Sequence, residues 1–157
     1  MPNTYTQIHI QVVFTVRNRD CVIRNSWKDE LYKYITGVIQ NHSHKVLAIN
    51  GMPDHLHIFF GFRPTQSLSE LMQDIKGDSS KWINQKGFTK GKFSWQEGYG
   101  AFSYSKSHVG AVVDYINNQE EHHKKKTFLE EYHDFLEKFD IEYDERYLFK
   151  PVEYDIV

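Results

Sequence analysis

From Tyr5 to Val16 apolar and polar residues alternate, with Ile8, Ile10, Val12 and Phe14 on one face and Gln7, His9 and Gln11 on the other. A period of two marks a half-buried β-strand. After the polar loop Arg17-Asn18-Arg19-Asp20 the period lengthens. Leu31, Tyr34, Ile35, Val38 and Ile39 recur at helical spacing, with Asn25 or Ser26 placed to cap the helix. Lys45 to Asn50 and His55 to Phe62 read as two strands, and the turn formers Gly51-Met52-Pro53-Asp54 join them into a hairpin. Ser67, with Glu70 three residues on, opens a second helix striped by Leu68, Leu71, Met72, Ile75, Trp82 and Ile83. Phe93 to Tyr104 predicts one or two short aromatic strands interrupted at Gly98 and Gly100. Ser107 caps a third helix that runs through Val109, Val112, Val113 and Ile116 to about Lys125, and Thr127 to Phe139 is amphipathic again.

This order predicts an α+β domain of the ferredoxin-like plan, a mostly antiparallel sheet with helices packed on one face. A chain of 157 residues holds one domain with a real core. We place that domain at residues 1–126 and treat residues 127–157 as an acidic helical extension of it.

Charge sharpens the division. Residues 1–127 carry 16 Lys+Arg against 11 Asp+Glu, whereas residues 128–157 carry 3 against 10, so a basic body precedes an acidic tail. No apolar run is long enough for a membrane span, and the start lacks the regions of a signal peptide. Cys21 is the single cysteine, which fits a reducing cytoplasm. Ten Tyr, eleven Phe and three Trp could be bulky core or base-stacking surface. No Gly-rich loop of the nucleotide-binding kind is present.

Two segments could carry chemistry. His55-Leu56-His57 at the start of a strand puts two imidazoles on one face, and such a pair can chelate a divalent ion or be merely hydrogen-bonded. His42-Ser43-His44 is the contrasting case: it falls at a helix-to-strand junction and reads as structural or solvent-facing. On the third helix Tyr115 and Gln119 are one turn apart, followed by His122. That pattern is either a partly buried tyrosine beside a polar face or a nucleophile beside a ligand. A phenol is a poor nucleophile at neutral pH, since its reference pKa is about 10. A divalent ion that polarises a phosphate would help it, and two histidines with a Gln119 oxygen would leave positions open for Mg²⁺ or Mn²⁺ function.

Met52-Pro53-Asp54-His55-Leu56-His57-Ile58 resembles the PDHxH block of the TnpA-type single-tyrosine HUH transposases of bacterial insertion sequences. Ser67-Leu68-Ser69-Glu70-Leu71-Met72-Gln73 and Ile75-Lys76-Gly77 resemble that family's following helix. Trp95-Gln96-Glu97-Gly98-Tyr99 resembles its Trp-x-x-Gly-Tyr stretch, and Tyr115-Ile116 with Gln119 its nucleophile helix. The likeness runs in order from about residue 5 to residue 126 and leaves the acidic segment outside.

The resemblance implies a metal-dependent, ATP-independent DNA transposase. Tyr115 would form a 5′-phosphotyrosine on single-stranded DNA at hairpin-marked element ends, with His55, His57 and Gln119 as metal ligands. It further implies a cytoplasmic homodimer in which each tyrosine helix completes the partner's site, with Gly110 a plausible hinge or a point of close helix packing. Arg17 and Arg19 occupy the place of basic residues after the first strand and are assigned to DNA. Lys124, Lys125 and Lys126 either join them or form a solvated helix end. Three alternatives stay open: a domesticated relative acting on repeated palindromes, a non-catalytic single-strand binder stacking bases on Phe59, Tyr99 and Phe102, and a hydrolase using the histidines without Tyr115.

Overall fold

The structure is a computed structural model that describes residues 3–143. Its elements are β1 (His9–Thr15), α1 (Lys28–Asn41), β2 (Lys45–Met52), β3 (His55–Gly61), α2 (Leu68–Lys86), β4 (Gly100–Tyr104), α3 (Val109–Asn117), α4 (Gln119–His123) and α5 (Phe128–Lys138), with single 3₁₀ turns at Arg17–Arg19 and Lys106–His108. The four strands pair antiparallel in the order β2-β3-β1-β4, as the ferredoxin-like plan requires. No helix among the described residues is long and apolar enough to cross a membrane.

Alternation divides the sheet into two apolar faces. Val12, Phe14, Leu56, Ile58 and Phe60 join Leu31, Ile35, Ile39, Leu71, Met72 and Ile75 of α1 and α2 in the main core. The opposite face is not open. Val13 and Phe102 pack against Phe128, Tyr132, Phe135 and Leu136 of α5, and Phe59 and Ala48 against Val112 and Ile116 of α3. Gln11, Val13 and Thr15 are therefore buried, and β1 is a central strand covered on both faces rather than a half-buried one. Phe59 and Phe102 are also buried, which leaves Tyr99 alone of the three aromatics expected to stack bases partly exposed.

Four local details differ from the sequence expectation. The first helix takes no side-chain cap from Asn25 or Ser26; the backbone N–H groups of Trp27 and Lys28 both donate to the Arg24 carbonyl instead. Phe93–Tyr99 forms a single bridge, Val16 to Trp95, before β4 begins at Gly100. The third helix does not run unbroken to Lys125, because Asn118 (φ −103°, ψ 27°) separates α3 from α4. The Asn50 amide of β2 donates to the carbonyls of Ile116 (3.0 Å) and Asn117 (3.3 Å), satisfying acceptors at the break. The expected Ser107 cap does not form either: α3 begins at Val109 with no side-chain cap, and the Ser107 hydroxyl meets Ser105 Oγ (2.9 Å) and His108 Nδ1 (3.4 Å) instead. Ser67 accepts from the Glu70 N–H at 3.1 Å as expected, and Thr127 accepts from that of Glu130 at 3.2 Å.

Candidate functional site

The β2–β3 hairpin is the foundation of the site. Met52 pairs with His55 and leaves Pro53-Asp54 as the tip, whose two carbonyls accept from Ile23 (3.0 Å) and Val16 (2.8 Å). The hairpin is thus tied to the end of β1, where Thr15 lies opposite His55 and Val13 opposite His57. Both imidazoles project onto the face roofed by α3–α5 and are fully buried.

Each ring is held from behind. His55 Nδ1 lies 2.7 Å from Asp54 Oδ1, and the other oxygen of Asp54 accepts from Arg19 Nε at 3.3 Å. Burial opposes the Asp54 charge, yet the hydrogen bond from His55 and the Arg19 guanidinium hold its carboxyl below the usual range. An ionised carboxylate only accepts, so His55 carries its proton on Nδ1. Burial lowers the pKa of the His55 ring despite the carboxylate, which keeps the ring neutral and leaves a lone pair on Nε2.

That lone pair faces another acceptor. Gln119 Oε1 stands 3.3 Å from His55 Nε2, and the amide nitrogen of Gln119 donates to Glu131 Oε2 at 3.3 Å, which fixes the amide's orientation. Glu131 Oε1 lies 2.9 Å from His57 Nε2 and 3.9 Å from His55 Nε2. His55, His57 and Glu131 can each offer one atom to a common centre, all within 4.8 Å of one another. Cis ligands of an octahedral ion bonded at about 2.1 Å stand about 3 Å apart. Two imidazole nitrogens and two side-chain oxygens at these separations fit a divalent cation.

One proton stands in the way. His57 Nε2 donates to Glu131 while His57 Nδ1 accepts from the Gln11 amide at 2.9 Å, and the Tyr104 hydroxyl donates to Gln11 Oε1 at 3.0 Å. Turning over the Gln11 amide lets Nδ1 become the donor and frees Nε2 for a cation. Such outer hydrogen bonds normally orient a ligating histidine.

Tyr115 is half-buried on α3, and its hydroxyl donates to Glu131 Oε2. Burial, the negative charge of Glu131 and this hydrogen bond raise the phenol's pKa well above its ordinary value. Glu131 shows the complement: burial would raise it, but hydrogen bonds from His123, His57 and Tyr115 hold its carboxyl far below the usual range. His123 adds contacts to Gln119 Oε1 (3.2 Å) and Glu131 Oε1 (3.5 Å). Beside Tyr115 lies a cavity of about 430 Å³ bounded by Tyr104, Val112, Glu131 and Phe135.

Of the residues expected from sequence, His55, His57, Tyr115 and Gln119 converge within one chain. Arg19 does not face outward; it supports Asp54 and lies over the Phe128 ring at 5.4 Å. Arg17 is exposed, as is Lys125, whereas Lys124 pairs with Glu121 at 3.0 Å and Lys126 pairs with Asp134. Around Gly110 a Cβ would meet nothing within 4 Å, so no close packing requires glycine there. His42 pairs with Asp74 at 3.3 Å, and buried His44 joins Gln66 and the Arg63 N–H, in keeping with structural roles.

Glu131, Gln11, Asp54 and His123 were not singled out from sequence. For Glu131 a signal existed. Phe128, Tyr132, Phe135 and Leu136 make the apolar stripe of α5, and Glu131, three residues after Phe128, is a charge placed on that stripe. The acidic extension therefore folds back over the sheet and reaches the site, although residues 144–157 of it lie outside those described.

Residues 4–119 match the family model of IS200-like transposases. The ISDra2 transposase TnpA of Deinococcus radiodurans is 21% identical over 118 residues, covering 72% of this chain and 84% of the relative. A crystal structure of a candidate transposase from Deinococcus radiodurans R1 superposes with a TM-score of 0.61 at 19% identity, over 74% of this chain and 94% of that one. The structure of a REP-associated tyrosine transposase bound to a REP hairpin gives 0.55 at 18% identity, over 74% and 68%. With the family model spanning most of its length, and a sheet, hairpin and histidine pair built as described, the chain belongs to the IS200-like transposase family.

Proposed function

We propose that this transposase cleaves and rejoins single-stranded DNA by attack of Tyr115 on a phosphodiester held against His55, His57 and Gln119. One observation carries the reading: the Tyr115 hydroxyl and the donor cluster meet on the two oxygens of a single carboxylate, Glu131. A tetrahedral phosphate has the same need, with one oxygen toward the histidines and its phosphorus toward the phenol.

In the cleavage step a bond forms between Tyr115 Oη and phosphorus, and the bond from phosphorus to the 3′-oxygen breaks. The phenolic proton passes to Glu131, the acceptor it already contacts, and the leaving 3′-oxygen takes a proton from solvent. The product is a 5′-phosphotyrosine and a free 3′-hydroxyl. Rejoining reverses the step with another 3′-hydroxyl, so no nucleoside triphosphate is consumed. His55, His57, Gln119 and Glu131 would hold Mg²⁺ or Mn²⁺, which when bound supplies positive charge against the phosphate oxygens. Asp54 and Gln11 keep the two rings aimed.

The REP hairpin bound by the similar transposase supports hairpin-bearing single strands as substrate. All four donors and the phenol come from one chain, which supports a site assembled in cis, with any homodimer adding to it.

The test is incubation with hairpin-bearing single-stranded DNA and Mn²⁺, followed by denaturing electrophoresis. The expected result is a protein–DNA adduct that Tyr115→Phe abolishes while hairpin binding persists. Cleavage that survives Tyr115→Phe would overturn the reading in favour of hydrolysis by water.

A further inference from the structure

Away from the histidines, the 3₁₀ turn Arg17–Arg19 and the 88–94 loop enclose a cleft of about 880 Å³. Arg17 and Arg24 line one wall and Lys90 and Lys92 the other, with Asp20 the single acidic side chain lining it. All four cations are exposed, and none forms an ion pair among the described residues. The contrast with Lys124 and Lys126 is direct, since those two are neutralised by Glu121 and Asp134.

The cleft is built rather than floppy. Arg17 N–H donates to the Ser94 carbonyl at 3.1 Å, and Asn18 N–H to Gln96 Oε1 at 3.2 Å. The Asn84 amide clamps both the N–H (2.7 Å) and the carbonyl (3.0 Å) of Phe93. Phe88 stacks on Trp27 at 4.8 Å and 5°, giving the cleft floor an aromatic edge. Asn18 (φ 57°) and Arg19 (φ 56°) are consecutive left-handed non-glycine residues. Such backbone is disfavoured for residues that carry a Cβ and tends to persist at functional positions. Here it turns the chain so that Arg17 lines the cleft while Arg19 turns back to Asp54, which holds His55.

We propose that this cleft is a track for the sugar–phosphate backbone of single-stranded DNA, delivering the strand to the histidine site. The proposal rests on the reading of the chain as a single-strand transposase and names where its substrate runs. Exposed cations on both walls suit a run of phosphates, and the aromatic Phe88 in the same lining suits a single strand whose bases are free to stack.

The experiment measures binding of fluorescent oligothymidine by anisotropy over a series of KCl concentrations. Arg24→Ala/Lys90→Ala/Lys92→Ala is compared with Lys33→Ala/Lys45→Ala/Lys81→Ala, which removes the same charge from exposed positions that line no part of the cleft. Each lost phosphate contact lowers the slope of log affinity against log salt by about 0.7 for single strands. The cleft variant should lose about 2 from the slope and bind roughly tenfold or more weakly at moderate salt, while the control keeps most of the wild-type slope. Melting curves confirm that both variants fold. Equal slopes in the two variants, with wild type still forming the tyrosine adduct, would overturn the cleft alone. A slope loss confined to the cleft variant without any adduct in wild type would uphold the cleft and sink the catalytic reading. Wild type that binds neither oligothymidine nor the hairpin-bearing strand would end both. Duplex DNA competing as well as the single strand would overturn the single-strand assignment.

Discussion

The Tyr115 hydroxyl donates its hydrogen to the Glu131 carboxylate across the gap between α3 and α5, a pairing of residues sixteen positions apart. It couples the state of the phenol to the charge of a residue beyond the part of the chain that matches the family model. In Glu131→Gln the charge and the strong acceptor both vanish, so the Tyr115 pKa should fall back toward its ordinary value of about 10. Divalent-ion affinity should drop on the order of tenfold or more. Ultraviolet difference titration and Mn²⁺ binding measure the two effects. An unchanged tyrosine titration together with unchanged Mn²⁺ affinity would remove Glu131 from the site.

Gly51 tests how tightly the hairpin is specified. A Cβ there would sit 2.1 Å from the His55 carbonyl oxygen and 2.9 Å from Leu56 Cα, both backbone atoms that cannot yield separately. Gly51→Ala should destabilise by about 3 kcal/mol and weaken Mn²⁺ binding, since the distortion falls on the strand carrying both histidines. A melting temperature within a degree or so of wild type would contradict this.

Gly110→Ala should do the opposite to stability. With open space around the position, alanine should stabilise α3 by about 0.5–1 kcal/mol. If the start of α3 must bend during strand transfer, adduct formation slows in the same variant. Unchanged kinetics in a more stable protein would rule out Gly110 as a hinge.

Burial raises the pKa of Tyr132 to about 12. The unfolded chain ionises first as pH rises, so stability is intact below about pH 10 and declines as pH rises from there toward 12. Two pKa units correspond to about 3 kcal/mol. Tyr132→Phe should remove that part of the alkaline decline in denaturant titrations at pH 9 and pH 11. An identical decline in the variant would show that Tyr132 does not carry it.

Mixing Tyr115→Phe with His57→Ala chains should restore little adduct formation, because both residues stand in one chain's site here. Recovery toward half of the wild-type level would show that the tyrosine helix is exchanged between chains.

Periodicity revealed the strands and helices because each lays an apolar stripe against the sheet. It also placed the histidines on one face, which register alone decides. What it missed has a common physical cause: contacts between residues distant in sequence. Gln11 reads as the polar side of a half-buried strand until α5 is known to cover it. Asn118 ends a helix only because Asn50, on β2, is there to satisfy the freed carbonyls. Glu131 lies in the segment we set apart as an extension, yet a carboxylate on an apolar helical stripe needs buried partners, and here those are three histidines, a glutamine and a tyrosine.

The placement of α5 carries a practical consequence for any shortened version of this protein. Ending the chain at Lys126, just past the residues that match the family model, would take away the cover over Val13 and Phe102 together with the acid beside Tyr115. The bared sheet would offer a greasy, self-complementary surface, and such a fragment should clump rather than report a simpler enzyme. Solubility is then a direct reading of whether α5 is in place.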